Sequence, residues 1–374
     1  MKFAFSLHRF LLRVALSTAH IFAWIILYQQ ELIHSDTPAH ALVETTLIFA
    51  LSQIVVVLSS PLAGRLFAEG MVRSMIIALI SLAGSFALLG AYVSGLVDPW
   101  CIVGFGILTG AYRAFYSTPL ALMRTDLTIS ASLVETIIGC IPFVAGMWLA
   151  QGNLSLVLFA AAGVAIGAIM PLLRFEAYER FEWTYRETFG MLLEPIHRRF
   201  VLQGVVRGIE GAALFVLWPL FLFIYLIPDF AVLGAVFTAS ILILLALRNL
   251  SHRGHAVRQP VLASAIVGGA WVARMTPAGP LAAVIAQAVG GIPQTAIPSV
   301  HETHDVVADG GSFLDEITTL KEISLGIGRL LLVLIFVAVI TLHGVDAAFA
   351  AAFLLAAFCA ASAEYLGNLR EETL

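Results

Sequence analysis

Apolar residues run along this chain in stretches that are long, continuous and separated by short polar gaps. Stretches of roughly 17–25 residues, the length a helix needs to cross a bilayer, recur over 11–30, 41–63, 74–94, 101–122, 130–150, 154–173, 201–227, 229–247, 260–275, 278–300, 317–342 and 345–367. The pattern predicts twelve membrane-spanning helices. The gaps then divide by charge. Of the 20 lysines and arginines, all but Arg113, Arg207, Arg274 and Arg329 fall in or beside alternate connections, and the other connections hold none. Positive residues stay on the cytoplasmic side of a membrane, so an even span count with both termini cytoplasmic is expected.

The longest connection, 174–200, separates two groups of six spans. Within it Phe175, Tyr178, Phe181, Tyr185, Phe189 and Leu192 recur at steps of three and four among Glu179, Arg180, Glu182 and Arg186. That spacing reads as an amphipathic helix at the cytoplasmic interface, joining two halves. The halves echo one another. Arg13 and Trp24 in span 1 are spaced like Arg207 and Trp218 in span 7. Pro119 and Asp126 are spaced like Pro298 and Asp305. Leu133, Glu135 and Gly139 in span 5 match Leu320, Glu322 and Gly326 in span 11. Occurring in one order, these coincidences favour duplication of a six-helix unit.

Composition agrees with that class: 60% of the 374 residues are hydrophobic, 12% are charged and mean hydropathy is +0.97, against an apolar share of about 45–50% in soluble domains. Net charge of −4 adds little. Cys101, Cys140 and Cys359 all lie in apolar spans, which argues against a disulfide framework or a thiolate metal site. Lys2, Arg9 and Arg13 before the first apolar run could introduce a secretory signal; the many later spans favour an uncleaved first helix.

Candidate chemistry lies in the few ionisable residues inside apolar spans, where a charge costs about 2.5–3.5 kcal/mol on insertion scales and so needs a partner. Arg113 in span 4 and Arg329 in span 11 lie near mid-span, with His20 in span 1. Arginines from opposite halves suit a carboxylate or phosphate through planar, bidentate contacts; the alternative is a structural ion pair with a protein carboxylate. Tyr112, Gln53, Gln287 and Gln294 could add uncharged hydrogen bonds to a ligand. Glu135 and Glu322, in equivalent places nearer the cytoplasmic ends, read either as a gate latch against Arg65, Arg73, Arg248 or Arg258, or as proton carriers. Glu210 sits one turn beyond Arg207, which suits an intrahelical pair, and Glu210 and His20 are candidates for protonation in a cavity. Asp126 joins the gating candidates at the inner end of span 4. Glycines and prolines in spans 4 and 10, among them Gly110, Pro119, Gly290 and Pro293, mark either gating helices or close packing.

With six plus six spans, a basic central loop and basic turns after spans 2 and 8, the chain resembles a major facilitator superfamily transporter over its whole length. In that family the turn after span 2 usually reads Gly-x-x-x-Asp-Arg-x-Gly-Arg-Arg. Here Gly64 opens the turn and Gly70 and Arg73 close it, while Ala68 and Glu69 replace the Asp-Arg pair. The resemblance implies an all-α polytopic membrane protein of 12 transmembrane helices in two pseudo-symmetric six-helix halves, 1–173 and 201–374, with 174–200 as linker. Spans 3, 6, 9 and 12 would be peripheral, and they indeed carry no charge at depth except Arg274 and Glu364 near their ends. The function implied is secondary active transport of a small solute across the cytoplasmic membrane by alternating access. Expected partners are a small-molecule substrate, membrane lipids and protons, with no cofactor, no nucleic acid and a monomeric state. Other classes that use cavity arginines are a flippase for lipid-linked anions and a non-transporting receptor on a transporter fold. The run His301, Glu302, Thr303, His304, Asp305 lacks zinc-protease spacing, and no phosphate-binding loop is present, so neither a metalloenzyme nor an ATP-driven pump is expected.

Overall fold

A computed structural model describes residues 2–35, 37–122, 131–174, 181–251, 260–275, 279–296 and 314–368. Each of the twelve apolar segments forms a helix there: α1 Ala4–His34, α2 Pro38–Leu66, α3 Glu69–Val93, α4 Cys101–Leu122, α5 Ala131–Ala150, α6 Leu154–Leu173, α7 Arg198–Leu226, α8 Phe230–Leu247, α9 Pro260–Met275, α10 Pro280–Ala296, α11 Glu316–His343 and α12 Val345–Ala363. Among the described residues, eight of these helices meet the length and hydropathy needed to cross a membrane. Large apolar side chains such as Ile80, Trp148, Phe159 and Phe358 point outward and exposed, as they must where lipid replaces water. The protein is an all-α polytopic membrane protein.

Helix α2 runs into α3 through one sharp break at Gly70, whose φ of 150° and ψ of 111° lie outside what a side chain tolerates. This is the glycine that the family turn would place one position later. Turns at the opposite end are tight, with Gly95, Gly152 and Gly344 at positive φ. Helix α1 contains a π-helical turn at Leu16–His20, and α7 contains two, at Ala213–Leu217 and Leu222–Leu226. Such wide turns rotate the residues that follow them and are frequent at functional sites.

Helices α1 to α6 pack largely among themselves, as do α7 to α12; the broadest contacts between the groups are α5 on α8 and α2 on α11. Glycines make both crossings close. A Cβ on Gly146 of α5 would strike the Phe230 carbonyl, one on Gly234 of α8 would strike the Pro142 carbonyl, and Phe143 N–H donates to Thr238 Oγ1 at 3.1 Å across the same seam. At the second seam Gly326 of α11 lies against Val57 of α2. Small residues allow this because bilayer helices associate through packing, without a hydrophobic drive.

The linker differs from expectation. Its described part holds one short helix, Tyr185–Met191, capped by Thr184 and Glu187, followed by turns around Pro195. It is docked at several points. The Phe181 ring covers Gly64 so closely that a Cβ there would overlap it. Tyr185 Oη donates to the Leu58 carbonyl at 3.2 Å. The backbone N–H groups of Glu182 and Trp183 both donate to Glu316 Oε1, at 3.0 and 3.1 Å, and Glu316 is buried. The linker thereby ties the end of α2 to the start of α11.

Candidate functional site

A cavity of about 520 Å³ opens between the two groups of helices. Its walls come from α1 (Arg9, Leu16, His20, Trp24), α2 (Phe49, Gln53), α4 (Thr109, Tyr112, Arg113, Tyr116, Ser117), α7 (Gly211, Phe215, Val216) and α11 (Glu322, Arg329). No wall residue belongs to α3, α6, α9 or α12, the helices expected to be peripheral. On one side Trp24 stands edge-on to Phe49 and Phe105, with centroids 5.2 Å apart in both pairs, and closes the cavity toward the tight-turn end. The cavity extends the other way, past Arg9, Tyr116 and Glu322 toward the chain termini.

Helix geometry brings the α4 residues together, since positions three and four apart share one face: Thr109, Tyr112, Arg113, Tyr116 and Ser117. Close approach of α4 to α2 depends on Gly110, where a Cβ would strike the Ser52 carbonyl. In α11 the exposed Leu331 and Leu334 take the outer face and Arg329, 5% exposed, takes the inner one. Its Nη1 donates to Gln53 Oε1 at 3.4 Å, a long bond, and Gln53 Nε2 donates to Ser52 Oγ at 2.9 Å. Arg113 is close enough for its charge to act on both Arg329 and His20. Among the described residues neither Arg113 nor Arg329 forms an ion pair.

Of the residues singled out in the sequence, Arg113, Arg329, His20, Gln53, Tyr112 and Glu322 meet at this cavity. Gln287 does not line it: its Oε1 accepts from Arg274 Nη2 at 3.2 Å. Arg207 and Glu210 also lie off the wall. Glu135 lies 3.8 Å from Arg13 of α1, which packs against α5. Glu322 faces the cavity, and its Oε2 is buried with no hydrogen-bond partner among the described residues. Asp126, the run His301 to Asp305 and the side chain of Gln294 lie outside the described part.

Sequence reasoning missed Arg9, Thr109, Tyr116 and Ser117; the last three could have been found from their spacing to Arg113. It also missed the packing of Arg274, which is 3% exposed and stacks on Trp271 at 4.3 Å and Trp218 at 5.8 Å. Its spacing of three from Trp271 on one helix was the available signal.

The bundle is apolar outside and encloses a charged cavity between two groups of helices. Neither a family model nor a curated protein sequence matches the chain. Solved structures do. The structure of a mutant of the nucleoside transporter NupG aligns with a TM-score of 0.59 and 12% identity, over 96% of this chain and 98% of that one. The D-xylose-proton symporter aligns with a TM-score of 0.63 and 13% identity, over 95% and 96%. The chain therefore has the major facilitator fold, in agreement with the resemblance read from its sequence.

Proposed function

We propose that this protein is a secondary transporter that moves a small anionic solute across the cytoplasmic membrane by alternating access. The two halves, 1–173 and 201–374, would rock about the glycine seams, and both termini would face the cytoplasm. The observation that carries the reading is the presence of Arg113 and Arg329 in one cavity from opposite halves, neither ion-paired to a described carboxylate. Two guanidinium groups in one cavity repel one another, and an anion between them removes that repulsion while using their fork-like donors. Proton coupling is assigned to His20, a titratable side chain that shares the cavity wall with Arg113. The likeness to a proton symporter supports it.

The test is binding and proteoliposome uptake of a panel of anionic metabolites, with melting temperature measured in parallel. Replacing Arg113 or Arg329 by Ala should weaken binding about a hundredfold, about 2.7 kcal/mol, and Lys should recover only part of that. Melting temperatures should stay near wild type. Unchanged affinity in all four variants overturns the anion reading, whereas a large loss of stability restored by removing a carboxylate identifies a structural ion pair. Orientation is checked separately in a background lacking Cys101, Cys140 and Cys359. Cysteine at Leu96 or Gly344 should react with an impermeant thiol reagent from outside, and cysteine at Gly254 should not.

A further inference from the structure

The polar groups around the cavity include both donor-only and acceptor groups at different depths. Arg113 and Arg329, near the middle of their helices, can only donate. Toward the chain termini the wall holds Glu322, Ser117 and Tyr116, with Arg9. Glu322 Oε2 and Ser117 Oγ are buried without hydrogen-bond partners among the described residues, an arrangement that is costly unless something fills it.

His8 fixes the sense in which Tyr116 works. It is fully buried, with Nδ1 2.8 Å from the Ala168 carbonyl oxygen and Nε2 2.8 Å from Tyr116 Oη. A carbonyl oxygen can only accept, so Nδ1 carries the hydrogen, and in the neutral ring Nε2 is then an acceptor. The single Tyr116 proton is therefore committed to His8. What the Tyr116 hydroxyl retains for a ligand is a lone pair. Tyr116 is held in place from the other side by stacking on Tyr112, centroids 5.6 Å apart.

We propose that Glu322 and Tyr116 form an acceptor pole within this end of the cavity, and that the ligand is an anion carrying a hydrogen-bond donor, hydroxyl or ammonium, at a distance from its anionic group. This rests on the anion reading above. The anionic group meets Arg113 and Arg329, while the donor meets Glu322 Oε2 and Tyr116 Oη. Glu322 and Arg329 are seven residues apart on one helix, about 10 Å along its axis. After the side chains reach inward, that spacing suits a chain of five or six carbons. His8 is a positioning residue: it acts through Tyr116 and sets what the site selects.

The probes are hexanoate, 6-hydroxyhexanoate, 6-aminohexanoate and 6-methoxyhexanoate, titrated calorimetrically into the purified full chain. The hydroxy or amino compound should bind at least tenfold tighter than hexanoate and the methoxy compound, whose end cannot donate. Glu322→Gln should weaken the amino compound selectively. His8→Phe frees the Tyr116 proton to point into the cavity and should shrink the preference for hydroxy over methoxy severalfold. If His8→Phe does not fold, Tyr116→Phe, which removes the acceptor and keeps the ring, gives the same reading. Hexanoate or the methoxy compound binding as well as the other two overturns the acceptor pole and leaves the anion reading standing. Failure of all four to bind overturns both. Independently, long-range ¹H–¹⁵N correlation of ¹⁵N-histidine-labelled protein should show His8 protonated at Nδ1 with a Nε2 signal that moves in Tyr116→Phe; protonation at Nε2 overturns the role of His8.

Discussion

Helices α1 and α7 carry the same spacing of arginine and tryptophan, and each contains a π-helical turn, yet they serve the cavity differently. In α1, Trp24 forms part of the cavity wall and packs on Phe49 and Phe105. In α7 the matching Trp218 is turned away, stacked on Phe221 and edge-on to Phe353, with Arg274 over its face. The same divergence separates Glu135, partly exposed beside Arg13, from Glu322, which faces the cavity. A duplicated sequence pattern sets equal depth along a helix; rotation about the helix axis is set by neighbours. In α7 the two wide turns and the tight crossing with α11 fix that rotation. There Gly204, Gly208 and Gly328 let α7 and α11 approach so closely that any Cβ would overlap the partner helix.

The largest expected effect breaks the comparison at the tryptophans. Trp218→Ala removes a fully buried ring and should destabilise the protein by about 3–5 kcal/mol, with ligand affinity of the remaining folded fraction unchanged. Trp24→Ala should lower both stability and affinity, because its ring belongs to core and cavity at once. Equal loss of affinity in the two variants would show that both tryptophans serve the site.

A smaller effect is expected at the glutamates. Glu322→Gln should change affinity for a bound anion or its donor group by about tenfold, near 1.4 kcal/mol. Glu135→Gln should stay within about twofold, since its partly exposed pair with Arg13 contributes little. Matching shifts from the two variants would place both carboxylates in one role. The smallest effect concerns the linker. Tyr185→Phe removes one hydrogen bond to Leu58, a contribution of about 0.5–1.5 kcal/mol. It should raise amide exchange over 185–191 without altering affinity. Glu316→Ala, which orphans two backbone N–H groups, should raise exchange more.

Much of this molecule is legible in its sequence because membrane insertion is a local test. Each apolar stretch reports its own solvation, so the twelve helical segments and the bundle class follow from hydropathy, and the absence of deep charge from α3, α6, α9 and α12 marks them as outside the cavity. Depth is also local, at 1.5 Å per residue, so the positions of His20, Arg113 and Arg329 within their spans are enough to put them at one level. The side on which each residue falls is decided only by tertiary packing. Arg274 lies near the end of a helix expected to be peripheral, yet it is buried, with Trp271 of its own helix and Trp218 of α7 beside it. Gln287 serves that arginine instead of the cavity. His8 looks like one more residue of a basic N-terminal segment until Ala168, 160 positions away, fixes its tautomer and so the polarity of Tyr116. The linker is amphipathic by sequence, but its docking onto Gly64 and Glu316 depends on surfaces that exist only once α2 and α11 lie side by side. Hydropathy fixes where along the membrane normal a residue sits; helix rotation and contacts between distant segments emerge only when all the helices pack together.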